Sequence, residues 1–162
     1  MLNSQNSPEF VELNREEVNN NREKWLKFLR SNGINKAKGH LETPKSYGVK
    51  NSRCCLGHAC HILGFKARHG VRSNNDDVVR YNSANLTLPR AAREMLNITK
   101  EGKFLIPVEV KGKKCTNSYV SMAHLNDNTG LTLKEIADVI EEQLKAGNVI
   151  EPYLYHLEGD QP

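Results

Sequence analysis

Hydrophobic residues recur at helical spacing in four segments of the chain, and the first of these contains the only tryptophan. In NREEVNNNREKWLKFLRSNG, apolar residues lie three, four and seven positions from Trp25 and make a narrow stripe along one helix face. Gly33 follows the stripe as a C-terminal signal. The pattern predicts a helix over about 15–31 that packs on a core supplied by the rest of the chain.

The last segment, LTLKEIADVIEEQLKAG, carries the clearest helix signals. Thr132 and Glu135 have the spacing of a capping box, and Leu131 and Ile136 have the spacing of the hydrophobic staple that accompanies it. Apolar residues then repeat at helical spacing until Gly147 ends the pattern. We expect a helix that begins after Thr132 and buries one face in the core.

Two shorter segments also predict helices. In LGHACHILG the apolar residues fall at i, i+3, i+4 and i+7, which turns Cys60 inward, and Gly64 closes the helix. In TLPRAAREMLN, Thr87 or Leu88 is the expected N-cap, and the helix ends near Asn97.

Alternating patterns predict two β-hairpins. FLIPVEVKGKKCTNSYVSM turns at Gly112, and Pro107 assigns its first strand to a sheet edge because proline has no backbone donor. The alternating face of that strand consists of Phe104, Ile106, Val108 and Val110. A second, smaller hairpin is predicted from strands over 37–42 and 51–56, with a turn around Pro44.

Polar residues dominate the rest of the chain, whose hydrophobic share is 38% and mean hydropathy −0.63. We expect flexible termini over 1–14 and 158–162 and a long surface loop over about 66–86. Residues 15–157 should form a single α+β domain, with about four helices packed on one or two small antiparallel β-hairpins. A domain of this length needs neither a metal nor a disulfide to hold its core.

Charge and hydropathy exclude several classes of protein. The formal net charge is +4 and the basic residues are spread along the sequence, so bulk charge does not favour nucleic acid. No apolar run approaches the ~20 residues that span a bilayer, and MLNSQNSPEF lacks the regions of a signal peptide. We therefore expect no membrane partner and a cytoplasmic location, where the four cysteines would be thiols.

The segment RCCLGHACHILG concentrates the reactive residue types. As a zinc site, Cys54, His58 and His61 would share one helix face, but the spacing is not a standard one and no second ligand pair follows. As a nucleophile, Cys54 or Cys55 could be activated by the positive end of the following helix, by Arg53, or by a histidine such as His58 or His124. The favoured interpretation is structural, with the thiols as small apolar fillers, and it predicts neither metal nor cofactor.

Two polar clusters are the candidate ligand-binding residues. Basic side chains of the smaller hairpin could together hold a phosphate, and an Asn-Asp pair before the last helix could bind a polar group. Solvated strand residues and a turn held by Asx side chains are the alternatives. The candidates are Lys36, Lys38, His40, Arg53, Asn126 and Asp127.

The order of the motifs resembles a family of small proteins of unknown function that bacteriophages and prophages encode widely. Its members have W, LRSG, QGxGxL, YCCLGVLCD, LPxxVxxWLG and LAxLNDxGxSFxEIADxIE. The matching segments here are WLKFLRSNG, KAKGHL, RCCLGHACHILG, LPRAAREMLNI and AHLNDNTGLTLKEIADVIEE. Arg53 replaces the tyrosine of the pattern, and His58 and His61 replace an apolar and an acidic residue, which argues against a family-wide zinc site. The resemblance implies phage origin and no particular activity.

These observations rank three functional hypotheses. The first is a non-enzymatic protein that captures a small anionic, nucleotide-type ligand or a host bacterial factor, so as to counteract bacterial defence. The second is an enzyme with Cys54 or Cys55 as nucleophile and with His124 and Asp127 as base and orienter. The third is a nucleic-acid or host-protein adaptor that uses the 68–80 loop and the basic 111–114 tip.

Overall fold

The structure is a computed structural model that describes residues 12–44, 51–72, 74, 76–112, 115–128 and 130–157. Five helices lie within these ranges: α1 (Arg15–Leu29), α2 (Cys55–Ile62), α3 (Arg90–Leu96), α4 (Met122–Asn128) and α5 (Leu133–Lys145). The strands are β1 (Glu12–Leu13), β2 (Asn35–Lys36), β3 (Ser52–Arg53), β4 (Ala67–Val71), β5 (Asp77–Tyr81), β6 (Lys103–Gly112), β7 (Cys115–Ser121) and β8 (Leu154–Tyr155).

The strands form four separate two-stranded sheets within the described ranges. β4–β5 and β6–β7 are antiparallel hairpins, whereas β1–β8 and β2–β3 are parallel pairs of two residues each. All five helices contribute buried apolar side chains, and most of these belong to one core cluster. The predicted α+β class with small antiparallel hairpins is therefore confirmed, with one helix more than expected.

The tryptophan helix forms as predicted and is anchored at both ends. The side chain of Asn14 caps α1 by accepting a hydrogen bond from Glu17 N at 3.0 Å. Trp25 is completely buried, and its Nε1 donates to the carbonyl of Cys55 at 2.8 Å. This bond ties α1 to the first turn of α2.

The capping box of α5 is present as the sequence predicts. Thr132 Oγ1 accepts from Glu135 N, and Glu135 Oε1 accepts from Thr132 N, each at 3.1 Å. Leu131 and Ile136, the predicted staple residues, are both buried. α5 contributes its apolar face to the core, as expected for a helix with a strongly one-sided pattern.

The two short helices lie close to their predicted positions. α2 begins at Cys55, one residue before the predicted start, and Cys60 is completely buried as expected. α3 has Pro89 at its N-cap, so the expected Thr87 or Leu88 cap is wrong by one or two residues. It ends at Leu96, and the left-handed φ of 47° at its C-cap, Asn97, fits a residue type that tolerates this conformation.

Two predictions about irregular structure are wrong. The predicted surface loop over 66–86 contains the β4–β5 hairpin, in which Val78, Val79 and Tyr81 are buried. The hairpin escaped notice because most of β4 is exposed and shows no alternation, while two consecutive valines of β5 are both covered. Residues 12–14, assigned to a flexible terminus, form β1 and the α1 cap; residues 1–11 and 158–162 lie outside the described residues.

The predicted smaller hairpin is only partly present. Glu42 bridges Arg53 in antiparallel fashion, but β2 runs parallel to β3, and residues 37–41 form bends instead of a strand. Gly39, at φ 73°, redirects this segment, and Leu41 N donates to the Asn85 carbonyl at 2.7 Å. Hydrogen bonds to distant segments therefore determine the conformation here, in place of the strand that the local alternation predicts. Residues 45–50 of the predicted turn lie outside the described ranges.

The β6–β7 hairpin is confirmed with one local departure. Phe104, Val108 and Val110 are buried as predicted, but Ile106 is exposed because the pairing register shifts between Lys103 and Val108. Asn148 fills the gap: its side chain accepts from Ile106 N at 2.8 Å and donates to Ile106 O at 3.0 Å.

Gly57, in the CCLG motif, is required by a close approach between α2 and the 37–44 segment. A Cβ at this position would lie 1.7 Å from the carbonyl oxygen of Leu41, a backbone atom. The same oxygen accepts a hydrogen bond from Cys54 N at 3.2 Å, so it cannot retreat without breaking that bond.

We predict that Gly57→Ala destabilises the protein by at least about 3 kcal/mol, because backbone atoms have to separate. Gly147→Ala is the matched control: its φ of 70° is strained for alanine, but nothing lies within 4 Å, so the cost should be about 1 kcal/mol. Urea unfolding of both variants measures the difference, and equal costs would contradict the close-approach argument.

Candidate functional site

The CCLG and LND motifs, about seventy residues apart in sequence, meet through the side chain of Asn126. Its Oδ1 accepts from Cys55 N at 3.0 Å, and its Nδ2 donates to the Ala37 carbonyl at 2.8 Å. Asn126 is completely buried, so these bonds replace solvent. The predicted turn at LND is wrong, because Leu125–Asp127 lies inside α4, whose first turn is capped by Ser121 Oγ.

Two more of the predicted ligand residues are also tied to the backbone. Asp127 Oδ1 accepts from Gly39 N at 3.1 Å and from Asn126 Nδ2 at 3.0 Å. Lys36 Nζ donates to the carbonyl of Leu131 at 2.5 Å. Their polar atoms therefore hold the 36–39 segment against α4 and the start of α5.

Arg53 is part of a buried polar triad with Glu42 and Tyr81. Arg53 Nε donates to Glu42 Oε1 at 2.6 Å, and the Tyr81 hydroxyl donates to the same oxygen at 2.5 Å. Burial and the bond to Glu42 raise the pKa of Tyr81 well above its ordinary value, so the hydroxyl stays protonated. Because Glu42 neutralises the guanidinium, Arg53 is not positioned as the anion-binding residue that we expected.

The six predicted residues thus lie in one region. The polar groups of four of them, however, are hydrogen-bonded to protein groups of other segments. Lys36, Arg53, Asn126 and Asp127 have the structural roles given above. Lys38 is exposed, and His40 is half-buried at the edge of a cavity. Of the six, His40 lines this polar cavity, and the other five are not among its lining residues.

The cysteines do not have the properties of nucleophiles. Burial raises the pKa of Cys54 to about 12 and also raises that of Cys55, so both are neutral thiols at pH 7. Cys54 Sγ accepts from Gly57 N at 3.3 Å, and Cys55 Sγ donates to the Met122 carbonyl at 3.7 Å. No thiol in the described part of the chain bonds a histidine, and the His124 ring contacts Ser121 instead.

His58 is buried as a neutral ring. Its Nε2 bonds the Asn35 carbonyl at 2.9 Å, its ring packs edge-on against Phe28, and its Nδ1 has no partner in the described structure. Desolvation lowers the pKa of His58 to about 4 and also lowers that of His61. Within the described ranges, no three histidine, cysteine or acidic residues are grouped so as to hold a metal ion.

A polar cavity of about 220 Å³ lies between the 40–44 segment and the β4–β5 hairpin. Its polar lining residues are His40, Glu42, Arg72, Asp76 and Asp77. Except for His40, none of these residues was a predicted ligand residue: Arg72, Asp76 and Asp77 were assigned to a loop, and Glu42 to a strand without a functional role. The run NNDD at the hairpin tip, followed by apolar VV, was the available signal.

The carboxylate of Glu42 belongs to both the triad and the cavity. Its Oε1 accepts the bonds from Arg53 and Tyr81, whereas its Oε2 has no hydrogen-bond partner among the described residues. The residue as a whole is 9% exposed, but Oε2 is not among the fully buried side-chain atoms that lack a partner in the described structure, so it opens into the cavity. An acceptor that opens into the cavity can receive a hydrogen bond from a donor group placed there.

Comparison with known proteins identifies the family. Residues 17–144 match the family model described as a domain of unknown function, DUF8296, and the chain belongs to that family. No curated protein and no solved structure matches the chain. In the described ranges, none of the helices combines the length and apolar character needed to cross a membrane.

We predict that Glu42→Gln destabilises the fold by about 3–5 kcal/mol, because it leaves the buried charge of Arg53 unpaired. Asp138→Asn is the matched control, since it removes an exposed carboxylate that pairs with Arg30, and it should cost less than about 1 kcal/mol. Chemical denaturation at pH 7 compares them, and a loss below 1 kcal/mol for Glu42→Gln would contradict the triad's importance.

His58 should make stability depend on pH. The unfolded chain binds a proton on His58 near pH 6.5, whereas the folded chain binds it only near pH 4. The free energy of unfolding should therefore fall as pH drops from about 6.5 to 4, by up to about 3 kcal/mol.

His58→Gln should flatten this decline, while His69→Gln, which changes an exposed ring, should keep the wild-type profile. Urea unfolding between pH 4 and 7 measures all three proteins. A His58→Gln profile as steep as that of the wild type would assign the decline to other groups.

Proposed function

We propose that this member of the DUF8296 family is a non-enzymatic binding protein that captures a small anionic, nucleotide-type ligand. The observation that carries the proposal is the polar cavity, in which Glu42 presents an unused carboxylate oxygen beside Arg72 and His40. The phage resemblance supplies the context of the proposal, which is the cytoplasm of an infected bacterium and a ligand or host factor of its defence.

The acidic lining of the cavity suits a group with hydrogen-bond donors. Glu42 Oε2, Asp76 and Asp77 are acceptors, and the exocyclic amine and ring N–H groups of a nucleobase are donors of matching kind. Carboxylates accept such bonds strongly when water is excluded. The acidic lining equally disfavours an anion deep inside the cavity.

Arg72, a half-buried residue of the same lining, supplies the positive charge that an anionic ligand needs. None of the ion pairs among the described residues involves Arg72, so its guanidinium is available to a phosphate. The volume of about 220 Å³ is below the ~300–1,000 Å³ of pockets that enclose drug-sized ligands. A base-sized group can therefore enter while its phosphate stays outside, beside Arg72 and His40.

The alternative of a cysteine-dependent enzyme has less support. The neutral, buried thiols of Cys54 and Cys55 lack a histidine partner in the described structure, and His124 is engaged with Ser121. Binding without covalent chemistry requires only the cavity and its charges.

The test is isothermal titration calorimetry with the four ribonucleoside monophosphates and with ribose 5-phosphate, which lacks a base. We expect at least one nucleotide to bind and ribose 5-phosphate to bind at least about tenfold more weakly, because it makes no bonds to the carboxylates. Arg72→Ala should weaken nucleotide binding about tenfold or more through loss of a charge-assisted bond.

Lys134→Ala, which removes one positive charge from the exposed side of α5, is the matched control and should bind as the wild type does. Absence of binding by all four nucleotides would overturn the proposal. So would an Arg72→Ala variant with wild-type affinity, since the ligand would then not bind in the cavity that Arg72 lines.

A further inference from the structure

The strand β6 has one edge that no other strand covers in the described structure. On one side β6 pairs with β7, and these two strands are the whole of their sheet. On the other side, the first part of β6 is covered by the chain that follows α5, where Leu105 N donates to the Asn148 carbonyl at 3.0 Å. After Pro107, no backbone hydrogen bond joins β6 to a described segment other than β7. Residues 108–112 therefore form an open strand edge.

The pairing of β6 with β7 determines which backbone groups face the open edge. Gly112 pairs with Cys115 and only two residues separate them, so this last pair is hydrogen-bonded in both directions. Hydrogen-bonded and non-hydrogen-bonded pairs alternate along an antiparallel ladder, so Val110 bonds β7 as well. The backbone N–H and C=O groups of Glu109 and Lys111 therefore point away from β7, to the open edge.

The side chains at this edge carry opposite charges. Glu109 and Lys111 are exposed, on the face of β6 opposite the buried Val108 and Val110. Neither belongs to an ion pair in the part of the chain that the structure describes. Pro107, which has no N–H, ends the row of outward donors on one side. The open edge is thus short, with one acidic and one basic residue two positions apart.

We infer that the partner of this edge is a second copy of the chain, and that the two β6 strands pair antiparallel about a twofold axis at Val110. In this register, Glu109 of each copy lies opposite Lys111 of the other, because a twofold axis makes both pairs identical. Each pair exchanges both of its backbone hydrogen bonds and places a carboxylate beside an ammonium group. The inference uses no residue of the polar cavity and is independent of the proposed function.

The charges select this register against its neighbours. If Glu109 lay opposite its own copy, two carboxylates would meet, and Lys111 would lie opposite Pro107, which cannot donate. If Lys111 lay opposite its own copy, two ammonium groups would meet. Like charges directly opposite each other destabilise a strand pair, so only the register centred on Val110 is favourable in both outward pairs.

The same charges disfavour most other partners. Lysine and proline on an open edge discourage pairing with a strand that cannot neutralise them. An antiparallel strand neutralises this edge when it also carries an acidic and a basic residue in the order of Glu109 and Lys111. A second copy of the chain meets that requirement, because its own edge has this order.

The test is sedimentation equilibrium of the full chain, which has a mass of 18.3 kDa. The paired segment is short, so we expect a weak dimer with a dissociation constant between about 1 µM and 1 mM. The average mass should rise toward twice that of the monomer as the protein concentration increases over this range. A wild type that remains monomeric at about 1 mM would overturn the inference, and the edge charges would then serve to prevent strand pairing.

Charge variants test the register. Glu109→Lys and Lys111→Glu should each weaken self-association at least about tenfold, because like charges then lie opposite each other. An equimolar mixture of the two variants should dimerise, since one supplies two basic and the other two acidic side chains. The double variant Glu109→Lys/Lys111→Glu exchanges the charges and should dimerise within about threefold of the wild type.

The matched control is Glu142→Lys, which makes the same change of charge at an exposed position of α5 and should dimerise as the wild type does. Thermal unfolding confirms that each variant is folded. If neither the mixture nor the double variant recovers the dimer, the register is wrong. Equal association of all the variants would place the dimer interface elsewhere, and an equal loss in Glu142→Lys would assign the effect to total charge; each of these results would overturn the inference.

Discussion

The buried amide of Asn126 is the interaction on which the arrangement of the other elements depends. It links α4 to the backbone of Cys55 at the start of α2 and to the carbonyl of Ala37. The same turn of α2 is held by Trp25, which bonds the Cys55 carbonyl, and by Leu41, which accepts from Cys54 N. An apolar residue at position 126 would leave a buried donor and a buried acceptor without partners, which is costly in a region closed to water.

Local sequence signals were sufficient to predict the helices whose first turns are capped by side chains adjacent in sequence. The helices α1 and α5 are capped by Asn14 and Thr132, side chains close in sequence to the groups that they bind. The helix α4 was missed because Asn126 and Asp127 are typical turn residues, and the partners that explain them inside a helix, Ala37 and Gly39, are remote. Turn and helix propensities depend on neighbours along the chain, whereas the side chains of Asn126 and Asp127 form hydrogen bonds with backbone groups of a remote segment.

The candidate site was less predictable than the fold, because which of its charged side chains remain available to a ligand depends on ion pairs between distant segments. Arg53 was expected to bind an anion, and its ion pair with Glu42, to which Tyr81 also donates, requires contacts between three separate segments. The sequence contained Glu42 within the proposed hairpin, but nothing local indicated that its side chain would turn toward Arg53. Conversely, Arg72 was placed in a structureless loop, so its position at a cavity followed only from the hairpin.

The triad also determines where positive charge remains for a ligand. Since Arg53 and Glu42 neutralise each other, the cavity retains the carboxylates of Asp76 and Asp77 against the single guanidinium of Arg72. A phosphate inside would meet net negative charge, whereas a donor group would meet Glu42 Oε2 without disturbing the bonds at Oε1. Under the proposed function, a ligand with a base at one end and a phosphate at the other meets both requirements, because the donors of its base bond the carboxylates while its phosphate pairs with Arg72.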